Sequence, residues 1–284
     1  MNRKIPVSVI ILTHNEENNI KACLDSVSEL VDDIFIVDSG STDQTLSIAE
    51  GITQNIYHHP FENYSLQRNW AQEHLPIKTE WIFHIDADER CSPGLANALR
   101  DFFASDSRTT DFSGLLVRRK IKFLGRHIKY GGLYPTYHCR LYRKLLGRCE
   151  DRAYDQHFVV EGPLDTIPAD LIEVTATSLE AWTARHNRWA QMEAEYLLDR
   201  TQTETNTTIA PDLLGSPIQR RRWFRVTILE RTPLFFRSFI YFLYRYFLRG
   251  GFLDGKEGLI YHVLHGFWFR FYVDACIYER REKP

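Results

Sequence analysis

Residues 81–89 read WIFHIDADE. Four residues of high strand propensity and a histidine run into Asp86-Ala87-Asp88-Glu89, so an extended segment ends where two carboxylates stand one residue apart. Working back towards the N-terminus, VSVIIL (7–12), DIFIVD (33–38) and NIYHH (55–59) are further short runs of strand-forming residues. Amphipathic stretches lie between them, with helices expected from about Glu16 and from about Thr42. In the first helix Ile20, Cys23, Leu24 and Val27 recur at three and four residues. The fourth opens with Ser92 as cap and Pro93 behind it, and carries Leu95, Ala98, Leu99, Phe102 and Phe103 on one face. This βαβα series predicts an α/β fold in which the strands lie parallel with right-handed crossovers. Any ligand then belongs along the edge formed by the carboxyl ends of the strands, and the polar motifs sit there.

The chain of 284 residues is 44% hydrophobic and 25% charged, ample for a folded core, and its formal net charge of -2 argues against a generally basic nucleic-acid binder. The five cysteines, Cys23, Cys91, Cys139, Cys149 and Cys276, contain no Cys-x-x-Cys pair. They therefore suggest neither a disulfide framework nor a thiolate zinc site, and a reducing cytosol fits best. The apolar stretch near the N-terminus breaks after about six residues, shorter than a signal-peptide core, and reads as a strand. Without export, the sequons at Asn63 and Asn206 are expected to be chance matches. From about Ser113 to Pro168 the pattern turns to strands and loops rich in Gly, Tyr and Arg. Helical periodicity returns around Glu180–Thr201, and TETNTTIAPDLLGSP reads as a polar connector. Three segments are expected: 1–112 as the ligand-binding half, 113–215 as a second, substrate-facing half with its connector, and 216–284 as a basic, aromatic, helical segment.

Asp86 and Asp88 can share a divalent cation, because hard ions such as Mg2+ or Mn2+ take oxygen ligands and can neutralise charge on a diphosphate leaving group. The same tripeptide could equally be a solvated acidic turn. Asp38 ends the second strand in VDSGSTD, where Gly40 and small hydroxylated residues let the backbone come close to a ligand; its carboxylate can accept from a base or ribose, or the segment can simply cap the second helix. Thr13 and Glu16 in THNEE can face the same nucleotide, or Asn15 can cap while the acids complement a helix dipole. Arg68 in SLQRNW is a candidate phosphate partner or an ordinary surface arginine.

The motifs IILTHNEENNI, IVDSGSTDQT, QRNWA and HIDADE, in this order and spacing, resemble family 2 glycosyltransferases, and most of all the branch with bacterial lipopolysaccharide-core β-glucosyltransferases. RLYR, VVEGP and GFLDGKEG extend the likeness more loosely towards the C-terminus. The resemblance implies an A-type glycosyltransferase fold, inversion at the anomeric carbon, a nucleotide-diphosphate sugar donor and a divalent metal. It also implies that Thr13, Glu16 and Asp38 serve the nucleoside, Arg68 the diphosphate, Asp86 the ribose and metal, and Asp88 the metal. Inversion by single displacement needs one base to take the acceptor proton. Related sequences carry a His-Glu pair before a segment like VVEGP, whereas RCEDRAYDQHFVVEGP has Asp155 and Gln156 there, and glutamine cannot serve as a base at neutral pH. Asp155 is the expected base, with Glu150 and Asp151 as alternatives; a loop salt bridge with Arg148 or Arg152 would account for any of the three.

Between Ile218 and Arg249 stand eight arginines and one acid, Glu230, interleaved with aromatic residues. No charge-free stretch approaches the ~20 residues needed to span a bilayer. On a helix, Arg237, Tyr241, Arg245 and Arg249 form a narrow polar stripe while Phe, Leu and Ile cover the rest. Such a helix is expected to lie in the membrane interface with its arginines on anionic headgroups, or else to pack on the catalytic domain with snorkelling arginines. The expectation is thus an inverting hexosyltransferase, peripheral on the cytoplasmic face of a bacterial inner membrane. It would take a nucleotide-diphosphate sugar, UDP-linked, and a glycolipid or cell-surface polysaccharide acceptor, with no nucleic-acid partner. A sugar-phosphate nucleotidyltransferase would share the βαβ start but needs a Gly-rich, Arg-containing phosphate loop after strand one, which THNEENN is not. A non-catalytic scaffold on the same fold is the remaining alternative.

Overall fold

A computed structural model describes residues 3–151, 156–176, 178–199, 210–215, 217–224, 226–227 and 231–282. In chain order the elements are β1 (Val7–Thr13), α1 (Ile20–Ser28), β2 (Asp33–Asp38), α2 (Thr45–Glu50), β3 (Ile56–His58), α3 (Tyr64–His74), β4 (Trp81–Asp86), β5 (Glu89–Cys91), α4 (Pro93–Phe103) and α5 (Asp106–Asp111). There follow β6 (Gly114–Phe123), β7 (Arg126–His127), β8 (Thr136–Arg143), β9 (Gly147–Cys149), β10 (Phe158–Val160), β11 (Leu164–Ala176), α6 (Leu179–Asp199), α7 (Pro217–Phe224), α8 (Phe236–Leu243), α9 (Gly255–Tyr261) and α10 (Phe269–Glu282). They group into two compact units, the first holding residues 3–120, 136–150 and 156–174, the second the remaining described residues.

In the first unit β1 pairs in parallel with β2 on one side and β4 on the other, and β2 pairs in parallel with β3. The sheet runs in the order β3-β2-β1-β4-β8-β6-β11-β5, with β8 antiparallel to β4 and β5 antiparallel to β11. Every residue of β1 is buried, which is why its sequence is a near-continuous apolar run rather than an alternation: both faces are covered. Val9 and Ile11 pack towards Ile20, Cys23, Leu24 and Val27 of α1 and Leu95, Leu99 and Phe102 of α4. Ile10 and Leu12 pack towards Ala71 and Leu75 of α3. At the head of α4 the Ser92 side chain accepts from the Leu95 amide at 3.1 Å with Pro93 following, as the sequence led one to expect. The α/β class and the A-type architecture are those expected.

The first two helices begin later than expected, at Ile20 and Thr45, and the loops before them bond to each other. Asn15, at φ 54°, accepts from the Thr42 amide at 2.8 Å, the Glu16 amide donates to Thr45 Oγ1 at 2.8 Å, and the Glu17 amide donates to Asp43 Oδ2 at 3.1 Å. Short polar side chains here satisfy amides across the gap between two strand ends.

The second unit contains the β6–β7 pairing at Lys122–His127 and the helices from α6 onward. α6 and α10 share a core of Ala190, Ala194, Phe269, Val273, Cys276 and Ile277. A second cluster joins Ile121, Phe123, Ile128, Trp182 and Tyr261. The loop after β7 is held by Asp254, buried, whose carboxylate accepts from the amides of Lys129 at 3.1 Å and Tyr130 at 2.8 Å. Gly131 follows at φ 71°, where a Cβ would fall 2.1 Å from the ring of His262, so only glycine fits. Among the described residues no helix is long and apolar enough to cross a membrane.

Candidate functional site

The parallel strands deliver three of the expected residues to one edge. Thr13, Asp38 and Asp86 are the last residues of β1, β2 and β4. Register puts Thr13 opposite Asp38, and Leu12, one residue earlier, opposite Asp86. Thr13 and Asp38 therefore leave one side of the pleat and Asp86 the other. What ties them is α3. Gln67 donates through Nε2 to Ser39 Oγ at 3.1 Å, directly after Asp38. The next residue, Arg68, donates to both oxygens of Asp86, at 2.9 and 3.1 Å. Consecutive helix residues thus reach two acidic strand ends.

At the β2 end, Asp38 is buried, and its carboxylate accepts from the amides of Gly40 at 2.8 Å and Ser41 at 3.0 Å and from the Ser41 hydroxyl at 2.5 Å. Gly40 stands at φ 93°, a conformation that turns its amide back on the carboxylate and that a side chain would resist. Asp38 accordingly shapes the 39–41 loop. Thr13 Oγ1 beside it is buried with no hydrogen-bond partner among the described residues. A hydroxyl left unsatisfied inside a strand end costs about 1–3 kcal/mol, a cost that a bound group able to hydrogen-bond would remove. Glu16, half-buried, accepts from Asn19 Nδ2 at 2.7 Å.

At the β4 end, burial alone would raise the Asp86 carboxyl, but Arg68 and Arg140 beside it outweigh burial and hold it well below the usual carboxylate range. Arg140, from β8, donates to Asp86 Oδ2 at 3.3 Å and to Glu89 Oε1 at 2.6 Å. Glu89 is fully buried and its other oxygen accepts from the Asp86 amide at 2.9 Å. Burial, opposed by Arg140 and reinforced by the charges of Asp86 and Glu173, pushes Glu89 up to about 7. His84, two residues before Asp86, stands against the rings of Tyr142 and Phe158; burial, with Arg68 and Arg140 nearby, drives it far below its ordinary value, so it is neutral. Asp88 is half-buried, and its carbonyl accepts from the Val174 amide at 2.8 Å, which fixes the loop on which its side chain stands.

Among the described residues no group of three or more His, Cys, Asp and Glu side chains forms a cage for a metal. Mg2+ does not require one, since it is bound through one or two carboxylates and completed by substrate phosphates and water. The donors fit that kind of site: hard oxygens on a loop tied down by Arg90, which donates to the Ala87 carbonyl at 2.8 Å. Asp86 is engaged by two arginines, and Asp88 stands half-buried two residues further along the same loop.

Asp155 lies outside the described residues. Of its alternatives, Glu150 is fully buried and accepts through Oε1 from the His157 amide at 2.8 Å, while its own carbonyl accepts from Ser65 Oγ at 2.6 Å. It holds the end of β9 against α3. Asp151 is exposed. Gln67, Glu89 and Arg140 belong to the site although sequence reasoning gave them no role. Gln67 lies in the QRNWA motif, Glu89 in DADE and Arg140 in RLYR, so each was marked by a motif without a partner being evident.

The model of glycosyl transferase family 2 matches residues 8–154, more than half of the chain. The chain belongs to glycosyltransferase family 2. The matched span carries β1 to β9 and both acidic strand ends. Over 284 residues the protein is 26% identical to the lipopolysaccharide core biosynthesis glycosyltransferase LpsC of Rhizobium meliloti, covering 98% of this chain and 93% of that one. It is 26% identical over 261 residues to an uncharacterised glycosyltransferase of Rickettsia bellii, covering 87% of this chain and 80% of its relative. Among solved structures, glucosyl-3-phosphoglycerate synthase from Mycobacterium tuberculosis, in complex with Mg2+ and UDP, covers 71% of this chain and 81% of its own, at 18% identity and a TM-score of 0.45. This family 2 chain is also similar to S. aureus TarS 1–349 in complex with UDP, at 15% identity and a TM-score of 0.43, covering 99% of this chain and 92% of that one.

Proposed function

We propose that the protein is an inverting hexosyltransferase that moves a hexose from a nucleotide-diphosphate sugar, UDP-linked, to a lipid-attached or cell-surface polysaccharide acceptor. The observation that carries the reading is the pairing of two acidic strand ends through consecutive residues of α3: Gln67 on the Asp38 loop and Arg68 on Asp86. The orphaned Thr13 hydroxyl and the Asp38 turn are suited to a nucleoside, with Glu16 at its margin. Arg68, buried, and Arg140, half-buried, both fixed by carboxylates, supply cationic surface for a diphosphate at little cost in reorganisation.

Asp88, with Asp86 behind it, would hold Mn2+ or Mg2+. When bound, that ion neutralises charge developing on the departing diphosphate. In the transfer step the acceptor hydroxyl oxygen forms a bond to the anomeric carbon as the bond from that carbon to the diphosphate oxygen breaks, and the hydroxyl proton passes to a carboxylate. That base is Asp155, with Asp151 next in line; Glu150, turned inward, serves the loop. Single displacement on the opposite face inverts the anomeric centre. The named role of the R. meliloti relative in lipopolysaccharide core biosynthesis supports a lipid-attached glycan as acceptor. Such an acceptor, together with the aromatic and basic C-terminal segment, supports peripheral attachment to the cytoplasmic face of a bacterial inner membrane.

The test is a panel of nucleotide sugars offered with and without Mn2+. One UDP-sugar should be hydrolysed in a metal-stimulated reaction, faster when membrane extract supplies acceptor. Hydrolysis of none, with or without extract, would refute the reading.

A further inference from the structure

The arginine stripe of the C-terminal segment faces inward, against the expectation that it meets headgroups. Arg237 donates through Nε to Asp274 Oδ1 at 2.7 Å, and its second nitrogen pairs with the same oxygen; Asp274 is fully buried. Arg245, 2% exposed, donates to the Gly131 carbonyl at 3.2 Å, approaches His265 Nδ1 at 3.1 Å and lies over the Tyr241 ring. Only Arg249, at the end of the stripe, is exposed. The opposite side, through α8, the wide turn 244–248 and the short helix Gly251–Asp254, presents Phe236, Phe239, Leu243, Phe247, Leu248 and Phe252 to solvent, with Leu248 80% and Phe236 60% exposed. A helix on a water-soluble surface shows the reverse arrangement.

We infer that this apolar ridge, rather than the arginine stripe, is the surface by which the protein enters an anionic lipid interface; the inference rests on the membrane-surface reading above and says which side goes in and by what force. The helix cannot roll to hide its apolar side, because that would strip Arg237 from Asp274 and expel Arg245 from the unit. Six large apolar side chains side by side exceed what a monomer's surface ordinarily carries without a partner. Charge selects the partner. From 231 to 256 the sequence has one acid, Asp254, buried and committed to the amides of Lys129 and Tyr130, whereas Arg231, Arg249 and Lys256 are exposed. Along this segment the exposed charges are cations, which suits anionic headgroups around an inserted apolar edge; the next acid, Glu257, is half-buried and pairs with Arg126 at 3.7 Å. A second copy of the chain would instead bring like charges together.

The experiment is flotation of the full chain with vesicles of phosphatidylcholine containing one-quarter phosphatidylglycerol, comparing the wild type with the double variant Phe247→Glu/Leu248→Glu. Both positions are exposed, and retained metal-stimulated donor hydrolysis reports that the first unit is intact. Expected is flotation of the wild type and a loss of roughly tenfold or more in vesicle partition for the variant. Because all five cysteines are buried, Leu248→Cys carrying an environment-sensitive fluorophore adds a second reading: its emission should shift blue on vesicle addition, while the same label at Lys256→Cys should move little. A variant that floats as well as the wild type, with no shift at 248, overturns the ridge and leaves membrane attachment standing. A wild type that stays at the bottom of the gradient overturns attachment itself. An oligomer in light scattering that the double variant dissolves, without flotation of either protein, overturns the lipid in favour of a protein partner.

Discussion

The first unit keeps a network of buried and half-buried charges at the carboxyl edge of its parallel strands, where Arg68, Asp86, Arg140 and Glu89 join α3, β4, β8 and β5. The second keeps Arg237, Asp274 and Arg245 inside a helical unit and turns an apolar ridge outward. In both, buried ions are matched by partners, because an unmatched one would be driven out or neutralised. They differ in what the matching leaves over. At the sheet edge a buried hydroxyl, Thr13 Oγ1, has no partner among the described residues; the helical unit shows an exposed apolar ridge. The first remainder suits a nucleotide and the second a lipid.

Breaking each network tests that difference. Asp274→Ala should cost the most, about 3–5 kcal/mol in urea unfolding, since it strands Arg237 and releases the Phe235 amide, bonded to Asp274 at 2.7 Å with Phe235 held at φ 69°. An unchanged midpoint would mean that the inward face of α8 is not fixed by this pair. Arg68→Met should cost less, about 2–4 kcal/mol, because Arg140 still serves Asp86 and that carboxylate is partly wet. Unlike Asp274→Ala, it should also weaken UDP binding. Equal effects of the two variants on UDP affinity would erase the distinction between ligand site and structural pair.

Glu89 sharpens the comparison through pH. Its folded-state pKa, about 7, lies above its unfolded value. The folded state therefore holds the extra proton, and the stability this confers is present below the unfolded value and lost as pH rises through about 7. Measured against Glu89→Gln, which cannot titrate, the wild type should lose about 1–3 kcal/mol between pH 5 and pH 8. A difference that is flat across that range would show that Glu89 is ionised throughout. The smallest effect belongs to Ser92→Ala, which removes the cap of α4 and should cost about 1 kcal/mol with no change in UDP binding. Altered binding in that variant would show the site to be sensitive to general loosening.

The strands β1 to β4, the cap at Ser92 and the arrival of Asp38 and Asp86 at one edge were legible because each follows from local pattern: buried apolar runs, a cap residue with proline behind it, acids at strand ends. β5, β9 and β10 are three residues each, too short to show a period, and exist because a partner strand pairs with them. Arg140 and Glu89 are 51 positions apart, so neither motif discloses the other. The periodicity of α8 revealed a polar stripe correctly but not its direction, which Asp274, 37 residues further on, decides. The expected base is a different case: Asp155 lies outside the described residues.

The central claim is that Asp88 completes a cation site only when a diphosphate is present. Titration calorimetry of UDP with and without Mn2+, on the wild type and Asp88→Ala, measures it directly. Binding should require the metal and fall roughly 100-fold or more in the variant. Equal affinity with and without Mn2+, or an Asp88→Ala protein that binds as the wild type does, would contradict it.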